Sequence, residues 1–337
     1  MGITKMKNMF YRLLFSVFFL LLTAHLTAQQ HTNKPVSIIF DSDIGPDYDD
    51  TGAITILHAM ADNGEAKILA TVASNQYEGI ASVLNIFNTH FNRPGIPIGV
   101  PKGKAVNMKD TQHWTDTIRM NYPHKIKFNN EVPDAVEVYR KVLAAQPDHS
   151  VTIVTVGFLT NLANLLKTTS DGFSPLSGKA LIKKKVKLLV SMAGIYPSGK
   201  EFNIIEDAAS SKEALENWPT TIIFSGFEIG VKIKTGLPLV QNKEIHNSPT
   251  KDVFRICLPM SPQDATGRMS WDETAVLVAV RGYQSYYTLH EGKIKVATDG
   301  INSWDDNGKG QFYLVEKELP KKMEDIINHL MMQQPKN

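Results

Sequence analysis

Short apolar runs alternate with helical patterns along most of this chain, and that alternation constrains the fold more than any other feature. Residues 36–40, 67–74, 151–156, 187–193 and 221–225 read as strands. Between them, residues 51–61, 80–90, 134–145 and 161–167 carry apolar side chains at helical spacing. The strand runs are mostly continuous rather than alternating, as expected where a sheet is covered on both faces. The sequence therefore predicts an α/β fold with an open, mostly parallel, doubly wound sheet. With 337 residues, 42% hydrophobic and 21% charged, the chain can bury a substantial core. No repeat, low-complexity tract or linker divides it, so a single domain is expected over residues 29–337. Residues 102–130 and 236–249 read as long irregular stretches. Residues 293–298 and 311–316 read as strands around DGINSWDDNGKG, a turn-rich connection.

The first 28 residues are expected to be a signal peptide. Lys5, Lys7 and Arg12 form a basic start, residues 13–26 contain no Lys, Arg, Asp or Glu, and Ala28 offers a small residue for cleavage. A retained anchor is the alternative, but the uncharged run is shorter than the roughly 20 residues a spanning helix needs. The expected product is an exported protein, periplasmic or secreted, with no membrane association after cleavage. Removing the leader moves the formal net charge from +2 to −1, so the basic balance belongs to the leader. Nothing in the mature charge suggests a nucleic-acid partner. The single cysteine, Cys257, allows no internal disulfide and reads as a small buried apolar residue.

The stretch DSDIGPDYDD places Asp41, Asp43, Asp47, Asp49 and Asp50 between a strand-like run and a helix-like one. That is the carboxyl end of a strand, where parallel α/β sheets bind their ligands. Helix capping explains one or two acids there. Five would repel one another and raise each other's pKa unless a cation neutralised them. Clustered carboxylate oxygens suit a hard divalent ion such as Ca²⁺ or Mg²⁺, and no Cys/His cluster of zinc spacing exists. Glu201 and Asn203 alternate across Phe202, so in an extended segment they would face one side together.

The same stretch resembles the N-terminal aspartate fingerprint of the nucleoside hydrolases, the inosine–uridine-preferring family and its relatives. Four later segments match in order: TVASN, VTVGFLTNLA, VSMAG followed by EFNIIEDAAS, and SWDETAVLVAV. The resemblance covers residues 38–280 and implies a Ca²⁺-dependent hydrolase that cleaves the N-glycosidic bond of ribonucleosides or related ribosides. It implies that Asp43, Asp50, Asp272 and the carbonyl of Val156 hold the ion, and that Asp43 also takes a proton from the attacking water. Asp49, Asn75, Glu201 and Asn203 would then hydrogen-bond the sugar hydroxyls, with Asp41 supporting the loop. Asn161 reads as structural, and Asp207 as a helix cap. A small-molecule riboside is the expected partner, and the resemblance also implies a homodimer or homotetramer.

Two departures stand out. The fingerprint carries an extra pair of residues, so Asp47 competes with Asp49 for the sugar. The family's histidine before the last aspartate is Trp271 here, which cannot donate a comparable proton to a departing base. Trp271 either stacks on the base or packs against the sheet edge. His113, His124 and Tyr283 are the remaining candidates for leaving-group activation. The alternative function is a riboside-binding protein on the same fold without turnover. A phosphatase reading of FDSDIG as an Asp-x-Asp loop fails at Gly45, where that family expects Thr or Val.

Overall fold

The computed structural model describes residues 34–336. The expected signal peptide, residues 1–28, therefore lies outside the described residues. Among the described residues, no helix is long and apolar enough to cross a membrane.

Twelve strands are present in this part of the chain: β1 (Val36–Ser42), β2 (Ala66–Ala73), β3 (Ile98–Gly99), β4 (Val151–Thr155), β5 (Val186–Met192), β6 (Ser198–Lys200), β7 (Ile222–Ser225), β8 (Lys234–Thr235), β9 (Arg268–Met269), β10 (Tyr287–Val296), β11 (Ile301–Asp305) and β12 (Gln311–Glu316). Ten of them form one sheet in the order β3-β2-β1-β4-β5-β7-β12-β10-β11-β6, and β8 and β9 form a separate two-stranded ribbon. All neighbours from β3 to β12 pair in parallel. The strands β10, β11 and β6 are added antiparallel. The expected open, mostly parallel sheet is thus present, with an antiparallel extension at one end.

Consecutive residues of the central strands face opposite layers. Ile38 and Phe40 join one core with Val154, Val190 and Ile223. Ile39 joins the other with Ile153, Leu189 and Ile222. The first layer is built on helices Asp49–Asp62, Ile80–His90, Pro249–Cys257, Trp271–Arg281 and Pro320–Met331. The second rests on Ala135–Ala144, Thr160–Lys167, Gly178–Lys185 and Ala208–Asn217. Burial on both faces is why the strand runs are apolar throughout.

Two expectations need correction. The connection DGINSWDDNGKG is not only a turn, because it contains β11, which pairs with both β10 and β6. Glycine and aspartate dominate its composition, while its strand character comes from pairing on both edges. Residues 102–130 and 236–249 are not wholly irregular either, and the short helix Leu237–Gln241 lies in the second stretch. The helix Trp114–Asn121 lies in the first, fastened by Trp114 and Ile118, both fully buried. An apolar pair four residues apart is too short a stripe to register as periodicity.

From β1 the chain winds outward to β2 and β3, then returns to place β4 on the other side of β1. The crevice at the carboxyl ends of β1 and β4 is therefore the switch point of the sheet, where ligands bind.

Candidate active site

A pocket of about 200 Å³ opens at this switch point. One wall is acidic: Asp43, Asp47, Asp49 and Asp272 line it, with Val156 at the end of β4. A second wall carries Glu201 and Asn203, and a third is formed by Phe202, Phe227, Trp271 and Arg268.

The acidic wall follows from the ends of the strands. The Val156 amide donates to the Asp41 carbonyl at 2.8 Å, continuing the β1–β4 pairing past the strand ends. Gly157 then passes so close that a Cβ would lie 2.3 Å from the Asp43 nitrogen and 2.6 Å from Ser74 Oγ. Only glycine fits this crossing. Ser42 Oγ donates to Asp50 and accepts from the Ile44 amide at 3.0 Å, which ties the loop to the first turn of the helix. Asp49 and Asp50 open helix Asp49–Asp62, and Asp272 opens helix Trp271–Arg281. Both first turns favour negative charge through the helix dipole. The helices pack against each other closely enough that a Cβ on Gly52 would collide with Glu273.

Burial and mutual repulsion dominate the electrostatics. Burial pushes the Asp43 carboxyl well above its usual range, and Asp47, Asp49 and Glu201 push it further. Burial does the same for Asp50, reinforced by Asp43 and Asp49. Asp272 is raised by burial and by four neighbouring aspartates. Asp49 is pushed up to about 7 by burial and Asp47, against the attraction of Arg268.

The donor set suits a hard cation. Carboxylate oxygens of Asp47, Asp49 and Asp272 lie within 4.8 Å of one another, a group that shares only Asp272 with the three carboxylates expected from the sequence. Asp50 Oδ2 is buried and has no hydrogen-bond partner. Such an oxygen carries a large desolvation cost unless it meets a proton or a cation. An all-oxygen set with several carboxylates matches Ca²⁺ or Mg²⁺ rather than a softer metal.

The polar wall is partly preorganised. Glu201 accepts from the amides of Asn203 at 2.8 Å, Ile204 at 3.3 Å and Gly194 at 3.1 Å. Burial still pushes its carboxyl up to about 7 against those hydrogen bonds. The Asn203 amide nitrogen donates to the carbonyls of Val156 at 3.2 Å and Met192 at 3.1 Å. Its carbonyl oxygen, a pure acceptor, remains available to a hydroxyl.

Of the residues singled out in the sequence, Asp43, Asp49, Val156, Glu201, Asn203, Trp271 and Asp272 share the pocket lining, and Asp47 joins them. Asp50 is buried and outside the lining. Asn75 is a correction. It is fully buried and outside the lining. Its amide nitrogen donates to the carbonyls of Asp43 at 3.1 Å and Met108, while its oxygen accepts from the Met108 amide at 3.0 Å. The side chain closing β2 satisfies main-chain groups of two loops and has little left for a sugar. Asp41 is held behind the loop by the Tyr139 hydroxyl at 2.8 Å and by Asn161 Nδ2, which also donates to the Ala73 carbonyl at 2.7 Å. Asp207 caps helix Ala208–Asn217, accepting from the Ser210 amide at 3.2 Å.

His113, His124 and Tyr283 do not line the pocket. The residue the sequence did not reveal is Arg268. Its Nε and Nη2 both reach Asp49 Oδ1, at 3.0 and 2.8 Å, and Nη2 lies 3.0 Å from Asp47 Oδ2. Its guanidinium carbon is 4.8 Å from the Tyr48 ring centre and 5.1 Å from that of Trp271. A basic residue three positions before the WD pair was the only signal. Phe227 was missed as well: it stacks on Trp271 at 5.1 Å and accepts the indole N–H at its carbonyl, at 2.9 Å. Gly230 permits this approach, because a Cβ there would lie 2.4 Å from the Trp271 Cα.

A carboxylate-lined pocket at the switch point of a mostly parallel sheet defines an α/β protein whose site could hold a metal ion. More specifically, the chain belongs to the inosine-uridine preferring nucleoside hydrolase family, whose model matches residues 38–326. It is 26% identical over 203 residues to the inosine-uridine preferring nucleoside hydrolase of Leishmania major, a match covering 56% of this chain and 60% of that protein. It is 26% identical over 244 residues to the Crithidia fasciculata protein of the same description, covering 66% of this chain and 70% of that one. The crystal structure of the inosine-uridine preferring nucleoside hydrolase from Bacillus anthracis shares the fold, with a TM-score of 0.68 at 14% identity, over 88% of this chain and 99% of that one.

Proposed function

We propose that this chain is an exported Ca²⁺-dependent hydrolase that cleaves the N-glycosidic bond of ribonucleosides or related ribosides. The observation that carries the reading is the division of the pocket into a carboxylate and amide end and an aromatic end. A riboside is divided in the same way, into a polyol and a flat heterocycle. Asp43, Asp50, Asp272 and the Val156 carbonyl would hold the ion. When bound, the ion lowers the pKa of a coordinated water and fixes the vicinal hydroxyls. Asp43 receives the proton as the attacking water adds to C1′. Asp49, Glu201 and Asn203 accept hydrogen bonds from the sugar hydroxyls, and the surrounding carboxylates favour the positive charge that develops on the sugar. Trp271 and Phe227 provide the apolar surface against which a flat base rests.

The test is release of free base from a panel of purine and pyrimidine ribonucleosides by the purified protein, with Asp43→Asn as the control. Absence of product across the panel, with Ca²⁺ bound, would count against the reading.

One observation favours the alternative, a riboside-binding protein. The indole N–H of Trp271 is committed to the Phe227 carbonyl. His113, His124 and Tyr283 are all outside the lining, so none of these proton donors meets the aromatic end. Calorimetry showing tight riboside binding without product would select this alternative.

A further inference from the structure

The two departures of this chain from the family's pattern meet at one side chain. Asp47 and Tyr48, within the lengthened fingerprint, both contact Arg268: Asp47 Oδ2 at 3.0 Å, and the Tyr48 ring centre at 4.8 Å. Trp271, which replaces the histidine, lies 5.1 Å from the same guanidinium. Arg268 is 7% exposed, and it lines the pocket between Asp49 and Trp271, at the seam of the carboxylate end and the aromatic end. In a riboside that seam is the glycosidic bond.

The guanidinium is held but not used up. Nε and Nη2 are engaged by Asp49 and Asp47, whereas Nη1 has only Asp264 Oδ2, at 3.9 Å, beyond hydrogen-bond distance. Asp264 in turn accepts the Tyr48 hydroxyl at 2.8 Å. Gly267 sets the preceding turn, since a Cβ there would lie 2.7 Å from the Thr235 carbonyl oxygen. The short ribbon β8–β9 thus presents the arginine at a fixed place on a pocket wall that, among the described residues, contains no other basic side chain.

We propose that Arg268 is the leaving-group residue of this hydrolase, a fixed cation that stabilises the departing base where His113, His124 and Tyr283 stand outside the pocket lining. The inference rests on the nucleoside-hydrolase reading above. When the C1′–N bond breaks, its electron pair goes to the base nitrogen, and water supplies hydroxide to C1′ while its proton passes to Asp43. Arg268 donates a hydrogen bond to the base as negative charge accumulates there. It keeps its own proton; the released base takes one from solvent while Asp43 gives its proton up to solvent, so the products are ribose and neutral base. An arginine cannot act as a general acid, and its contribution is electrostatic, of the kind that fixed donors provide to a developing anion. A heterocycle with acceptor atoms beside the glycosidic nitrogen, as in purine and pyrimidine nucleosides, is the substrate class that uses it.

The experiment compares inosine or uridine with a p-nitrophenyl riboside, whose leaving group needs no stabilisation. Arg268→Met weakens the positioning of Asp49, so both substrates lose activity. The nucleoside is expected to lose about 30-fold or more beyond the loss on the aryl riboside. Arg268→Lys, which restores charge without the planar fork, recovers part of that excess. Arg268→Gln, neutral but able to donate to Asp49, serves the same comparison if the methionine variant does not fold. Equal losses on both substrates overturn the proposal and leave a residue that only positions Asp49. A wild-type protein inactive on both substrates overturns the hydrolase reading itself, a separate result.

Discussion

The acidic wall and the aromatic wall of the pocket are held in different ways. The acidic wall stands on the ends of β1 and β4, in the middle of the sheet, and is fixed by main-chain pairing, the Gly157 crossing and the amide of Asn75. Its residues fall close together in the chain, apart from Val156 and Asp272. The aromatic wall joins Arg268 on a two-residue strand, Trp271 at the start of a helix and Phe227 on the four-residue helix Phe227–Gly230. Ring contacts and one indole hydrogen bond hold it together. One wall is dictated by the sheet and the other is assembled from side chains. In the proposed function the first would carry the reaction, and the second would meet the base.

Breaking the acidic wall should have the largest effect. Asp43→Asn is expected to lower kcat/KM for a nucleoside about 1000-fold or more, because it removes the base and one cation ligand together. Chelation by EDTA should abolish the same activity, and added Ca²⁺ should restore it. In the wild type, Ca²⁺ at about 100 times its Kd should stabilise the fold by about 2.7 kcal/mol. That gain, followed as a rise in Tm, should be largely missing from Asp272→Asn. A variant at Asp43 that kept a tenth of the activity would remove the catalytic distinction between the two walls.

On the aromatic wall the expected effect is smaller and falls on KM. Trp271→Ala should raise KM for a nucleoside about 10- to 100-fold, the range of base–aromatic stacking, while the Ca²⁺-dependent rise in Tm stays near wild type. Trp271→Phe should recover most of the loss. An unchanged KM in Trp271→Ala would mean that the indole serves only to pack against Phe227.

Asn75 tests where the acidic wall ends. With its amide committed to Asp43 and Met108, Asn75→Ala should cost about 1–3 kcal/mol of stability, since it leaves buried main-chain groups without partners. KM should change by less than about threefold, because the pocket lining is untouched. A large rise in KM with an unchanged Tm would instead return Asn75 to the group of sugar-binding residues.

The same contrast decides what could be read from the sequence. The central strands and the acidic loop were legible because each depends on a local pattern: apolar runs buried on both faces, or five aspartates within ten positions. The strand β11 was not, since its pairing partners β10 and β6 lie in separate segments and its own composition favours turns. Asn75 was placed correctly at the end of a strand, but its type alone could not say whether its amide would meet a sugar or two loops. Arg268 and Phe227 carry no motif. Their importance arises only when distant segments meet at Trp271.

Away from both walls, His58 anchors the helix that carries Asp49 and Asp50, and it gives the smallest expected effect. Its Nε2 pairs with Asn88 Oδ1 at 3.0 Å, Asn88 Nδ2 donates to Thr71 at 2.9 Å, and the imidazole stacks on Phe91 at 4.8 Å. Burial, and secondarily the charge of Arg93, push its pKa down to about 3. The unfolded chain takes up this proton near its ordinary value of about 6.5, before the folded chain does. The stability that neutral His58 provides is therefore complete above pH 6.5, falls as the pH drops below it, and is lost in full only near pH 3. The slope of about 1.4 kcal/mol per pH unit gives a loss of about 2 kcal/mol at pH 5. The buried carboxyls of the acidic wall titrate in the opposite sense, so the measurement is the difference in unfolding free energy between the wild type and His58→Gln at constant Ca²⁺. That difference should shrink by about 2 kcal/mol between pH 8 and pH 5. A difference that did not change with pH would mean that His58 takes up its proton at the same pH in the folded and the unfolded chain, so that burial does not hold it neutral.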